Sequence, residues 1–158
     1  MAVTLLAGLL LIFLYIIIFA FSAQNGETSG NISMDVSGFG VGILDKLTGG
    51  RLSQETLRQL TLAIEHPLRK TAHFLEYALM GILVYCLLYY HVHPVRRRCL
   101  LAVIWVFFSA AFDELHQYFV PGRWGSFSDV CLDTCGGIAG IILCVFITRQ
   151  SLLDKKRD

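Results

Sequence analysis

Four long apolar stretches dominate the pattern of hydrophobic and polar positions along the chain. They cover residues 3–23, 71–90, 100–120 and 127–148. A hydrocarbon core about 30 Å thick requires about 20 apolar residues in a helix, and backbone groups inside lipid must be hydrogen-bonded within the segment. The pattern therefore predicts four transmembrane helices. We expect the first to be retained rather than cleaved as a signal peptide, because no basic residue precedes it and the run is long.

Residues 24–69 form a longer and more polar segment between the first two apolar stretches. Within it, residues 37–50 have a loose apolar period, and residues 52–67 follow a helical one. Ser53 is a candidate N-cap, and Pro67 is expected to end or kink the second helix. The apolar positions on one face of that helix are Leu57, Leu60, Ile64 and Leu68. We expect two short amphipathic helices that lie on the membrane surface or cap the bundle, with an ordinary ordered loop as the alternative.

The composition supports a single membrane domain over residues 1–158. Hydrophobic residues make up 55% of the chain and charged residues only 16%, whereas soluble domains are about 25% charged. The net charge of +1 and the absence of a basic run interleaved with aromatics exclude a nucleic-acid partner. The five cysteines fall in or near apolar runs without a CxxC motif, so they resemble small core residues. Cys131 and Cys135, one helical turn apart, make a poor metal site.

The orientation in the membrane follows from the basic residues of the short loops. The loop between the second and third stretches contains Arg96, Arg97 and Arg98, while the loop between the third and fourth contains only Arg123. The tail contains Arg149, Lys155, Lys156 and Arg157. Because basic residues mark the cytoplasmic side, both termini are predicted to be cytoplasmic and residues 24–69 extracytoplasmic.

The ionisable side chains of the apolar stretches concentrate near the outer ends of the predicted helices. At 1.5 Å per residue they lie roughly 5 to 10 Å below the outer surface. The inner halves of the helices are nearly pure hydrocarbon. These side chains are His73, Glu76, Asp113, Glu114, His116, Asp129 and Asp133. Charged groups are costly inside a membrane and are by default candidates for function.

Helical geometry places these side chains on one face of each helix. The three faces consist of Lys70, His73, Glu76 and Tyr77; of Asp113, His116 and Gln117, with Glu114 at the flank; and of Asp129, Asp133, Gly136 and Gly140. Gly136 and Gly140 have the GxxxG spacing that allows close approach of another helix. The acids on this face should therefore point into the bundle, and Cys131 and Cys135 should point away.

A turn at Pro121, Gly122 and Arg123 follows the third stretch. A guanidinium held there suits bidentate binding of phosphate or carboxylate, and Lys70, with Arg69 beside it, adds positive charge. The alternative is that Arg123 only pairs with Asp129 or Glu114. We expect Asp129 to orient Arg123.

Three motifs resemble the VanZ-like family of small bacterial integral membrane proteins: FSAQ at 21–24, RKTAHFLEYALMG at 69–81 and DELHQYFVPGRWGSFSDVCLDTCGG at 113–137. The resemblance implies a multi-pass protein of the bacterial cell membrane. Founding members of the family are associated with low-level resistance to the glycopeptide teicoplanin. The matching positions are Lys70, His73, Glu76, Tyr77, Asp113, Glu114, His116, Gln117, Pro121, Gly122, Arg123 and Asp129. Asp133 stands where members often have asparagine.

The main functional hypothesis is an outward-facing pocket for an anionic lipid headgroup or a lipid-linked cell-wall precursor. The candidate reactive core is His73, Glu76, Asp113, Glu114 and His116, and the candidate ligand-binding residues are Lys70, Tyr77, Gln117, Arg123, Asp129 and Asp133. The alternatives are a metal- or His/Asp-dependent hydrolase or transferase acting on a lipid-linked phosphate, a proton-coupled transporter and a non-catalytic accessory protein. No cofactor is predicted, a divalent metal is left open, and no protein partner is identified.

Overall fold

The chain folds into five helices, α1 to α5, in the computed structural model. The structure describes residues 2–154, with side chains over residues 3–149; Lys155, Lys156 and Arg157 lie outside the described residues. The helices are α1 Ala2–Ser22, α2 Gly26–Leu47, α3 Gln54–Leu88, α4 Val95–Tyr118 and α5 Phe127–Asp154.

Four of these helices are long and apolar enough to cross a membrane. The candidate spans are Val3–Ser22, Gln54–Leu88, Val95–Tyr118 and Phe127–Arg149. Large apolar side chains such as Leu5, Phe13, Phe108 and Phe146 point outward with more than half of their surface exposed, as lipid-facing residues do. The predicted all-α membrane protein with four transmembrane helices is therefore confirmed.

The second span belongs to a longer helix than the hydropathy pattern predicted. Helix α3 begins at Gln54 rather than at residue 71, and it is capped by Ser53, whose Oγ accepts from the Thr56 N–H at 3.1 Å. Pro67 lies inside this helix and does not end it, although an interior proline removes one helical hydrogen bond and its ring crowds the preceding turn. At 1.5 Å per residue α3 is about 52 Å long, so its first part extends well beyond a hydrocarbon core of about 30 Å.

Helix α2 packs along this first part of α3. It has 22 residues, and its cap is Asn25, whose side chain accepts from the Thr28 N–H at 2.8 Å. Gly49 and Gly50, with positive φ angles of 105° and 64°, form the turn into α3. Residues 24–69 therefore form a helical hairpin, in which the second predicted amphipathic segment is continuous with the second span.

Glycines bring α3 and α5 into backbone contact. A Cβ at Gly136 or Gly140 would overlap the carbonyl oxygen of Phe74 or Ala78, respectively, and a Cβ at Gly81 would overlap the backbone of Gly137. The close approach predicted from the GxxxG spacing is thus confirmed, with α3 as the partner. Cys131 and Cys135 are exposed, as expected for the opposite face of α5.

Helix α1 packs against α3 and α4 through both apolar and polar contacts. Leu11, Leu14 and Ile18 enter the core. Tyr15 is hydrogen-bonded to the Ser109 hydroxyl and accepts from the Trp105 Nε1–H at 2.8 Å. Side-chain contacts of this kind hold α1 in place at mid-depth.

The end of the bundle opposite the α4–α5 turn contains a buried arginine. Arg98 is only 2% exposed, donates to the Tyr85 hydroxyl at 3.1 Å and to the Val92 carbonyl, and lies over the rings of Tyr85 and Tyr89. In the sequence, Arg98 was only one of the basic residues that predict the cytoplasmic side of the membrane. The structure also gives it a packing role between α4 and the end of α3.

Candidate functional site

The turn between α4 and α5 is docked on the start of α2. The Arg123 N–H donates to the Val120 carbonyl at 3.1 Å, and Gly122 has a φ of +75°; with Pro121 before it, these are the features of a type II turn. The Gly26 N–H donates to the Pro121 carbonyl at 3.0 Å, and a Cβ at Gly26 would overlap the Gly122 carbonyl oxygen. The hydrogen bond within the turn and the contact of the turn with α2 together fix the position of Arg123.

The guanidinium of Arg123 is held by neutral groups. Its Nη2 donates to the Phe21 carbonyl at 3.1 Å and to the Ser29 hydroxyl at 2.6 Å. Among the described residues, no carboxylate oxygen lies within 4.0 Å of this guanidinium. Burial, together with the charge of Arg69, lowers the pKa of Arg123, against the opposing effect of Asp113 and Glu114; arginine nevertheless remains charged.

The neighbouring cations, in contrast, have acidic partners. Lys70 pairs with Asp129, which joins α3 to the start of α5, and Arg69 pairs with Glu65 one turn earlier in α3. The expectation that Asp129 orients Arg123 is therefore wrong, because Asp129 is turned toward Lys70. Of Arg69, Lys70 and Arg123, Arg123 alone has no paired acid among the described residues.

Two polar side chains of α4 hold parts of the site in place. Glu114, 7% exposed, accepts from the Ser126 N–H at 2.7 Å and so anchors the residue just before α5. Gln117 donates from Nε2 to Asp113 Oδ2 at 2.8 Å. Glu114 and Gln117 thus have clear positioning contacts, whether or not they also touch a ligand.

A cavity of about 230 Å³ lies between the turn, α3, α4 and α5. Of the candidate residues, it is lined by Lys70, His73, Glu114, Gln117, Arg123, Asp129 and Asp133, and its remaining lining includes His66, Arg69 and Trp124. Trp124 is 87% exposed, so the cavity reaches the surface. No sequence pattern pointed to His66, which precedes the predicted span.

The other candidate residues lie around this cavity rather than on its wall. Glu76 lines an adjoining apolar groove between α1, α2 and α3. Tyr77, Asp113 and His116 line a third pocket between α1 and α4, where the His116 ring stacks on Phe19 at a centroid distance of 4.9 Å. The structure therefore brings the candidates to one end of the bundle but divides them among three connected surfaces.

Several buried polar atoms around the cavity have no hydrogen-bond partner among the described residues. They include Asp133 Oδ1, Tyr77 Oη, His73 Nδ1, His116 Nδ1 and Arg69 Nε. His73 Nδ1 lies 3.6 Å from Glu76 Oε2, just beyond hydrogen-bond distance. Because buried polar atoms are normally bonded to protein, water or ligand, these atoms mark a polar interior able to bond small polar groups.

The described side chains do not gather into a metal-binding cluster. No group of three or more His, Cys, Asp or Glu residues in residues 3–149 is arranged to hold a metal ion. Among the described side chains, Arg123 can bind an anion, and His73, beside Glu76, can accept or donate a proton.

Comparison with known proteins identifies the family. The family model described as VanZ/LLP1 matches residues 7–148, which contain all three motifs and most of each helix. No curated protein and no solved structure matches the chain. Because the match covers nearly the whole chain, this four-span helical membrane protein belongs to the VanZ/LLP1 family.

Proposed function

We propose that this protein binds an anionic lipid headgroup, the phosphate of a membrane lipid or of a lipid-linked cell-wall precursor, in the cavity beside Arg123. The observation that carries the proposal is that Arg123 has no paired acid among the described residues. Its bonds to Phe21 and Ser29 both use Nη2, so within the described residues Nε and Nη1 remain as single donors. Both two-donor edges of a guanidinium include Nη2, so a phosphate that replaces the Ser29 hydroxyl there gains the bidentate contact.

The size of the cavity supports a headgroup rather than a whole lipid as its occupant. A volume of about 230 Å³ is below the ~300 Å³ at which pockets for drug-sized ligands begin. Lys70 and Arg69 also line it, and although both are paired with acids, they add basic side chains that a second phosphate oxygen can approach. The polar lining on one side and the lipid-facing helices on the other suit a molecule that stays in the membrane.

The proposal includes the location and orientation of the protein. We assign it to the bacterial cell membrane, with both termini cytoplasmic and the α2–α3 hairpin outside, because Arg96 and Arg97 are exposed in the first turn of α4, at the opposite end from Arg123. The VanZ-like motifs support a link to cell-wall precursors and, through them, to glycopeptide (teicoplanin) resistance.

Native mass spectrometry of the protein extracted gently from its own membranes tests this proposal. We expect an added mass equal to a phosphate-bearing lipid, and we expect Arg123→Ala to lose most of it. Arg97→Ala is the matched control, since Arg97 is an exposed arginine at the other end of the bundle. Equal lipid occupancy in the wild type and in Arg123→Ala would remove the proposal.

A second candidate is a hydrolase or transferase acting on the bound phosphate. The specific observation is His73, which lines the headgroup cavity and has Glu76 Oε2 3.6 Å from its Nδ1, as a general base beside a carboxylate would. The test is release of inorganic phosphate from farnesyl diphosphate, with and without a chelator. If the wild-type protein binds the diphosphate but releases no inorganic phosphate with or without the chelator, the hydrolase or transferase candidate is overturned and binding remains the proposed function.

A further inference from the structure

An apolar groove of about 210 Å³ adjoins the headgroup cavity. Its apolar lining is Ile18 and Phe21 of α1, Ile32 and Val36 of α2, and Leu68 and Ala72 of α3, and its polar lining includes Gln24, Ser29, Ser33 and Glu76. Arg69, His73 and Arg123 line both the groove and the headgroup cavity. The two spaces therefore adjoin, and Arg123 forms part of the wall of both.

The hydrogen bonds of Arg123 build this junction. One of its bonds goes to the Phe21 carbonyl at the end of α1, and the other to Ser29 near the start of α2. The same side chain thus joins two of the three helices that form the groove walls, and it has no paired acid among the described residues. An apolar groove with such a guanidinium in its wall complements a molecule whose hydrocarbon chain is attached close to its phosphate.

We propose, resting on the function proposed above, that this groove binds the hydrocarbon chain of the lipid whose phosphate contacts Arg123. The ligand class is then a chain-bearing phosphate monoester or diphosphate, in which the first carbons of the chain follow the phosphate directly. Lipids whose phosphate is separated from the chains by a bulky polar group fit the junction less well, because Arg123 lies in the wall of the groove itself.

Equilibrium dialysis with labelled inorganic phosphate, ethyl phosphate and hexyl phosphate tests the chain site. The protein is held in amphipol without free detergent, so that micelles do not compete for the chain. Each buried CH₂ strengthens binding by roughly fourfold at most. Since the chain is only partly enclosed, we expect hexyl phosphate to bind at least about tenfold more tightly than ethyl phosphate.

Two variants on α3 distinguish a substitution inside the groove from one elsewhere on the same helix. Ala72→Phe fills the groove, so we expect it to weaken hexyl phosphate binding at least about fivefold, the loss of roughly one or two buried methylenes, and to leave inorganic phosphate binding unchanged. Ala63→Phe is the matched control, because Ala63 is exposed on the same helix and lies outside the groove lining. Arg123→Ala should weaken all three ligands.

The outcomes distinguish the two proposals. If phosphate binding is absent, or is unchanged in Arg123→Ala, the proposed function fails and the chain site fails with it. If phosphate binding depends on Arg123 while hexyl and ethyl phosphate bind equally, only the chain site is overturned. Equal loss of hexyl phosphate in Ala72→Phe and Ala63→Phe would also overturn the chain site.

Discussion

Two arginines show how differently one residue type is used at the two ends of the bundle. Arg98 is enclosed by two aromatic rings, a hydroxyl and a carbonyl, so its donors and its apolar stem are used in packing. Arg123 is held through one nitrogen only, at the wall of a cavity. The sequence predicted a ligand role for Arg123 but no packing role for Arg98, because burial depends on the neighbours that the fold brings together.

Replacing Arg98 by alanine should destabilise the protein by about 2 to 4 kcal/mol, because it removes hydrogen bonds from a charged donor and two cation–π contacts. The measurement is the free energy of unfolding in mild detergent. Arg97→Ala, an exposed neighbour, should change stability by less than about 0.5 kcal/mol. A similar small change in both variants would mean that Arg98 is not part of the packing at the end of the bundle opposite the α4–α5 turn.

Replacing Asp129 by asparagine should strengthen inorganic phosphate binding by about fivefold. The change removes a negative charge from the cavity wall and frees Lys70 from its ion pair; loss of one such repulsion near a protein surface is worth about 1 kcal/mol. Equilibrium dialysis of phosphate measures the effect. Weaker binding in Asp129→Asn would show that the ion pair is needed to shape the site.

At the scale of the element, α2 and α3 were the helices that the sequence predicted least completely. The Ser53 cap and the apolar face of α3 were predicted, but a helix continuing through Pro67 was not. Helix α2 contains Gly30, Gly38, Gly40 and Gly42, which oppose helix formation in isolation. The two segments support each other by packing side by side, and local propensity does not include that contribution.

The glycines of α5 give a sharp test of its packing on α3. Gly140→Leu should lower the free energy of unfolding by about 2 kcal/mol or more, because its Cβ would overlap the Ala78 carbonyl oxygen and force the helices apart. Gly40→Ala in α2 is the control, since no heavy atom lies near its Cβ position, and it should be neutral or stabilising by up to about 1 kcal/mol. Wild-type stability in Gly140→Leu would contradict this packing.

At the scale of the whole molecule, the sequence predicted the depth and the face of the polar residues better than their partners. Depth and face follow from 1.5 Å and 100° per residue, and the candidates do gather at one end of the bundle. Which acid meets which base depends on the order of helices around the bundle. That order put Asp129 beside Lys70 and left Arg123 with α1 and α2, a result that periodicity within single helices could not provide.

The proposed orientation predicts which end of the molecule is accessible from outside the cell. In a variant without native cysteines, Gly50→Cys at the tip of the α2–α3 hairpin should react with a membrane-impermeant maleimide in intact cells. Arg97→Cys in the first turn of α4, at the other end, should react only after the membrane is opened. The reverse labelling pattern would invert the assigned topology and place the cavity on the cytoplasmic side.

The backbone contact between α3 and α5 also has a consequence for motion. Where carbonyls of one helix touch glycines of the other, separation would open a void along the seam, so this pair should behave as a rigid body. Helix α1 is joined to its neighbours by exchangeable hydrogen bonds, at mid-depth from Trp105 to Tyr15 and near the site from Arg123 to Phe21. Widening of the bundle to admit a bulky molecule from the membrane should therefore occur by displacement of α1, while α3 and α5 keep their spacing.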